Sequence, residues 1–110
     1  MSHRTVRMEA AVLLFAVALA SGGPLFAQDG ATVFKTKCAP CHGADATGST
    51  PAGKSMKLRD LTSADVQKQT DEQLTAIITG GKSPMPAYKD KLTGDQITQV
   101  VAYLRTLAKK

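Results

Sequence analysis

Tryptophan is absent from this 110-residue chain, which has only two Tyr and three Phe. With so few rings and no basic run, it lacks the stacking surface and charged stripe that a nucleic-acid binder needs. Internal repeats and low-complexity tracts are missing too, which excludes a solenoid. The longest apolar run, Ala10 to Ala20, holds 11 residues. A bilayer crossing takes about 20, so no stable membrane insertion is expected.

That apolar run follows Arg4 and Arg7 and precedes Leu25-Phe26-Ala27. A basic start, a short apolar stretch and a small residue at the cut describe a secretory leader. Residues 1–27 are expected to be removed, leaving a domain of residues 28–110. Those 83 residues carry a net charge of +4. A domain this small buries a modest share of its surface and leans on a disulfide, a metal or a cofactor. A large enzyme, a multidomain protein and a membrane channel are all disfavoured.

Cysteine occurs only twice, and both copies fall in Cys38-Ala39-Pro40-Cys41-His42. As a staple the pair is poorly placed, because a bridge across two residues closes a very small loop. Three chemistries suit the pattern. A redox dithiol calls for a strand before it and a βαβ setting. Zinc calls for four ligands, and the processed chain would keep two Cys and one His. Covalent attachment of c-type haem is the third, and Cys-x-x-Cys-His is its pattern. The two thiols add to vinyl groups on one porphyrin edge, and the adjacent His42 then lies under the iron. Haem fits best, and export agrees with it.

No second histidine remains to hold the opposite axial position, so a thioether is the natural candidate. Met85 lies in Gly81-Lys82-Ser83-Pro84-Met85-Pro86-Ala87-Tyr88. Prolines on both sides exclude helix there and stiffen an extended segment. Met56, 14 residues after His42, is the rival. Iron ligation is therefore expected from His42 and Met85, and covalent attachment from Cys38 and Cys41.

The remaining pattern is helical. Asp29 is expected to cap a first helix running through Ala31, Val33, Phe34 and Lys37 to the cysteines. Gly43 to Lys54 is small and polar and reads as loop. A short helix follows Ser63. Thr70-Asp71-Glu72-Gln73 and Thr93-Gly94-Asp95-Gln96 are capping-box patterns. The first opens a helix that ends at Gly80-Gly81. The second opens the longest helix, marked by Ile97, Val100, Val101, Leu104 and Leu107 and closed by Lys109-Lys110. No hairpin signal occurs, so the fold class is all-α. The large side chains are too few for a core of their own, which makes haem the expected centre.

Taken in order, Gly30 and Phe34, Cys38 to Gly43, Pro51-Ala52-Gly53, Pro84 to Tyr88, and Val101-Ala102-Tyr103-Leu104 resemble the small class I, single-haem c-type cytochromes. The likeness is to the bacterial and algal periplasmic or lumenal kind and spans residues 30–107. The resemblance implies three to five helices packed around one covalently bound haem, with the first and last helices crossing. Gly30 would permit their close approach, and Phe34 would pack near Tyr103. The Pro51 carbonyl would accept the Nδ1–H of His42, which raises the basicity of that ligand.

With both axial positions filled, such a protein carries single electrons and is not an enzyme. A haem sensor or peroxidase-like protein with an open iron position, and a dithiol module, are the alternatives. Lys82, Lys89 and Lys91 flank the Met85 segment, and Lys54, Lys57 and Arg59 precede another expected haem-packing segment. These charges favour redox partners with acidic docking surfaces and encounter rates that fall with salt. A monomer in the periplasm, or in a thylakoid lumen if photosynthetic, is expected.

Overall fold

The structure is a computed structural model that describes residues 25–109. The greater part of the expected leader, including its apolar run, lies outside the described residues. Helix α1 spans Leu25–Val33 and passes without a break into a π-helical stretch, Phe34–Cys38, and then α2, Ala39–His42. Four helices follow: α3 Pro51–Ser55, α4 Ala64–Gln67, α5 Asp71–Gly80 and α6 Gly94–Thr106. The described residues thus form five helical runs and no named strand, as expected for an all-α domain.

Both capping boxes form. The Thr70 hydroxyl accepts from Gln73 N–H at 3.1 Å, and the Gln73 side chain accepts from Thr70 N–H at 2.9 Å. Thr93 and Gln96 do the same at the start of α6, with the same distances. Each box satisfies two amides that a helix start leaves without partners.

Three local expectations need correction. Asp29 does not cap the first helix, because that helix begins four residues earlier, at Leu25. The segment expected as loop from Gly43 to Lys54 contains the start of α3. Thr50 caps it, accepting from Gly53 N–H at 2.8 Å, and Pro51 fills the first helical position, where a missing N–H costs nothing. The last helix stops at Thr106 rather than running to the terminal lysines. Lys109 instead folds back: its amide donates to the Thr62 carbonyl at 3.0 Å and its ammonium to Asp60 at 2.6 Å.

Helices α1 and α6 cross closely at Gly30. A Cβ there would overlap the Gln99 carbonyl and lie 3.0 Å from Tyr103 Cβ. Beyond the crossing, the Phe34 and Tyr103 rings meet at 5.5 Å between centroids, tilted by 54°. Phe34 and Val100 are the largest fully buried side chains, and Ile97, Val101 and Leu104 complete the buried stripe of α6. Leu74 and Ile78 of α5 join them.

Arg105 on α6 holds the junction of α4 and α5. Its guanidinium donates to the Gln67 and Gln69 carbonyls and to the Asp71 carboxylate, the last at 2.9 and 3.0 Å. Five donors in one rigid fork suit this task in a way that a lysine cannot match.

The Lys109–Asp60 pair has a readable pH signature. Hydrogen bonds from the Lys109 ammonium, then from the Thr62 hydroxyl and amide, hold the Asp60 carboxyl at about 2. A depressed carboxylate adds stability above its unfolded value of about 3.9 and loses it as pH falls through the folded value. Stability should therefore decline between about pH 4 and pH 2. Asp60→Asn should flatten that part of the curve, as read from denaturant midpoints across acid pH.

Candidate haem site

The end of the first helical run and the Met85 segment meet across an apolar cleft of about 320 Å³. That size falls within the range of small-molecule sites. Cys38, His42 and Met85 border it, together with Phe34, Val66, Leu74, Ile78, Val100 and Leu104. A smaller adjoining space of about 100 Å³ shares Cys38, His42 and Met85 and adds Cys41 and Tyr88. Three of the four residues expected to hold haem therefore border both spaces, and Cys41 borders the smaller. Met56 borders both parts as well.

Local structure fixes the Cys-x-x-Cys-His segment. The π-helical stretch ends at Cys38, and Ala39 N–H bonds back to the Phe34 carbonyl. Pro40 lies in the first turn of α2, and His42 is its last residue. Gly43 then turns the chain at φ +85°. The His42 carbonyl accepts from Gly48 N–H at 2.7 Å, and the Cys41 carbonyl from the Thr50 hydroxyl at 2.6 Å. These bonds lash the loop after His42 to the start of α3.

Met85 is held by a tight turn after α5. Gly81 adopts φ +76°, and a Cβ there would crowd the Ala87 nitrogen at 2.8 Å and the Met85 carbonyl at 2.9 Å. Lys82 and Met85 exchange two backbone hydrogen bonds of 2.7 and 3.1 Å. Ser83 and Pro84 form a turn, so the segment expected to be extended is instead closed into a loop by this pair. Tyr88 N–H then bonds to the Ile78 carbonyl at 3.0 Å, which ties the segment back to α5.

The donor set fits haem better than its rivals. Burial lowers the proton affinity of His42, which favours the neutral imidazole that binds metals. Burial, and then the neighbouring Cys41, push the Cys38 thiol up to about 11. A redox dithiol needs a depressed thiol, so that chemistry is poorly served. Among the described residues, no group of three or more His, Cys, Asp or Glu is placed to hold a metal ion, and zinc's need for four ligands goes unmet. His42 Nδ1 is buried without a hydrogen-bond partner. The bond from it to the Pro51 carbonyl, which the resemblance implied, is not formed.

Two features of the site had weaker signals in the sequence. Thr50 could have been found from Thr-Pro at a helix start. The Tyr88 hydroxyl donates to the Lys37 carbonyl at 3.2 Å, across 51 residues, and no local pattern announces it.

The family described as "Cytochrome C oxidase, cbb3-type, subunit III" matches residues 26–104. The chain belongs to the c-type cytochromes. Its relatives include a cytochrome c6 of Leptolyngbya boryana, 39% identical over 84 residues, covering 76% of this chain and 95% of that protein. The cbb3-type cytochrome c oxidase subunit FixP of Rhizobium meliloti is 33% identical over 103 residues, covering 90% of this chain and 34% of the relative. Among solved structures, the KustC0563 c-type cytochrome aligns with a TM-score of 0.69 at 30% identity, covering 74% of this chain and 99% of that one. This cytochrome is a small monohaem electron carrier with covalently bound haem c, and it works with redox partners.

Proposed function

We propose that the haem is bound through thioethers at Cys38 and Cys41, with His42 and Met85 as axial ligands of the iron. The observation that carries this reading is that Cys38, His42 and Met85 border both of two adjoining spaces and Cys41 the smaller one, although Met85 lies 43 residues after His42. Bound haem supplies a one-electron couple, and a His/Met pair sets its potential above that of a bis-His pair. The chain's own residues do the rest. Burial lowers the proton affinity of His42 and so favours its neutral form. The Met85 turn presents the thioether from a loop anchored to α5. Phe34, Leu74, Ile78, Val100 and Leu104 exclude water from the cleft, so that little solvent must reorganise around a change of charge. With both axial positions held by protein, no coordination position is left for a substrate, and the protein acts as a carrier rather than an enzyme.

The charged residues bordering the cleft are Lys37, Lys57, Arg59 and Lys82, all cationic. This ring favours acidic docking surfaces, with association slowing as salt rises. Among the described residues, no helix is long and apolar enough to cross a membrane. The leader pattern over residues 1–27 supports export to the periplasm, or to a thylakoid lumen in a photosynthetic cell.

The test is the ferric absorption spectrum with Met85→Ala beside the wild type. The wild type should show the Met–iron charge-transfer band. The variant should lose it, bind carbon monoxide when reduced, and drop in potential. The drop should be on the order of a hundred millivolts, inside the ~0.8 V window that axial ligands span. A variant with an unchanged spectrum would transfer the role to Met56. Mass spectrometry should find the chain from residue 28 plus one haem.

A further inference from the structure

The Met85 segment is held against the cleft in three ways. Met85 and Tyr88 pack on the buried core, backbone bonds tie the segment to α5, and one side-chain bond ties it to the helix that carries the cysteines. That side-chain bond is the Tyr88 hydroxyl donating to the Lys37 carbonyl at 3.2 Å. Lys37 immediately precedes Cys38, so the bond joins the axial-ligand loop to the haem-attachment helix directly.

The rest of Tyr88 is fixed as a latch requires. Its N–H bonds to Ile78, and its carbonyl accepts from Lys91 and Leu92 N–H, both at 2.9 Å. The Lys91 ammonium lies 5.4 Å from the ring centroid, close enough for a cation–π contact. The half-buried ring borders the smaller part of the cleft together with Met85, Cys38 and Cys41. A phenylalanine could fill the same space. The hydroxyl adds a link that the packing does not need.

We infer that Tyr88 is a positioning residue. Its hydroxyl latches the Met85 loop onto the attachment helix and sets how often the thioether leaves the iron. The inference rests on the His42/Met85 reading above. Breaking the latch removes the direct hydrogen bond between the loop and the attachment helix, so the loop opens more often and an outside ligand enters sooner. One neutral hydrogen bond of ordinary strength corresponds to a rate increase of roughly five-fold.

The experiment compares wild type, Tyr88→Phe and Lys109→Ala as ferric holoproteins. It records the Met–iron charge-transfer band, the rate of imidazole binding and the denaturant midpoint. Lys109→Ala weakens the fold at the Asp60 clamp and leaves the latch intact. The expected result is that Tyr88→Phe keeps the band and binds imidazole roughly five times faster, while Lys109→Ala binds at the wild-type rate. A Tyr88→Phe rate equal to wild type overturns the latch and leaves Met85 as ligand. An equal acceleration in Lys109→Ala also overturns it, since general softening would then explain the effect. A wild type without the band overturns Met85 ligation and the latch together.

Discussion

The Cys38→Ser/Cys41→Ser double variant, unable to attach haem, should lose cooperative folding. The walls of the cleft supply the reason. Phe34, Val66, Leu74, Ile78, Val100 and Leu104 are the greater part of the buried core, and all of them border the cleft. Removing the group that covers them leaves this apolar wall open to water, and every 100 Å² of it costs about 2.5 kcal/mol. Domains of this kind have only about 5–15 kcal/mol in hand. Thermal melting followed by far-ultraviolet circular dichroism should show a weak helical signal and a broad transition. A full helical signal with a sharp melt would show that the helices make a core without haem.

Gly30→Ala should be the most damaging single change outside the site. The added Cβ would overlap the Gln99 carbonyl and press on Tyr103 Cβ at 3.0 Å. A backbone carbonyl inside a helix cannot swing aside, so α1 and α6 must separate and the Phe34–Tyr103 contact opens. A loss of about 3–5 kcal/mol is expected, the range of severe single substitutions, visible as a large drop in denaturant midpoint. Gly80→Ala is the matched control. It adds the same methyl group at the end of α5, where nothing lies within 4 Å of the new atom. Its midpoint should stay level or rise slightly, since alanine is the better helix former. A similar fall in both variants would show that the collision at the crossing does not govern the first.

The capping boxes at Thr70 and Thr93 were legible because they are local: four consecutive residues carry both halves of each pair. The start of α3 was equally local, but Thr50-Pro51 lies inside a stretch of small polar residues whose composition reads as loop. Asp29 is a good capping residue, yet the described helix passes through it from Leu25. The close approach at Gly30 was legible through the resemblance, whereas the collisions that make Gly53 and Gly81 necessary were not. A Cβ on Gly53 would overlap the Gly48 carbonyl and come within 2.8 Å of the Cys41 carbonyl, and those neighbours are set by the loop path.

The sequence alone pointed to the chemistry. Two thiols and an imidazole in five residues carry the pattern for the proposed attachment, since their spacing is covalent and needs no partner from elsewhere in the chain. It also determined the starts of α5 and α6, whose capping boxes are written within single turns. Only the tertiary structure decided what surrounds that chemistry. It brought Met85 to the same cleft as His42, joined Tyr88 to Lys37 across 51 residues, folded Lys109 back onto Asp60, and left His42 Nδ1 without the expected partner. Each of these depends on how distant segments close on one another, and that closure is set by burying the shared apolar walls rather than by any short run of residues.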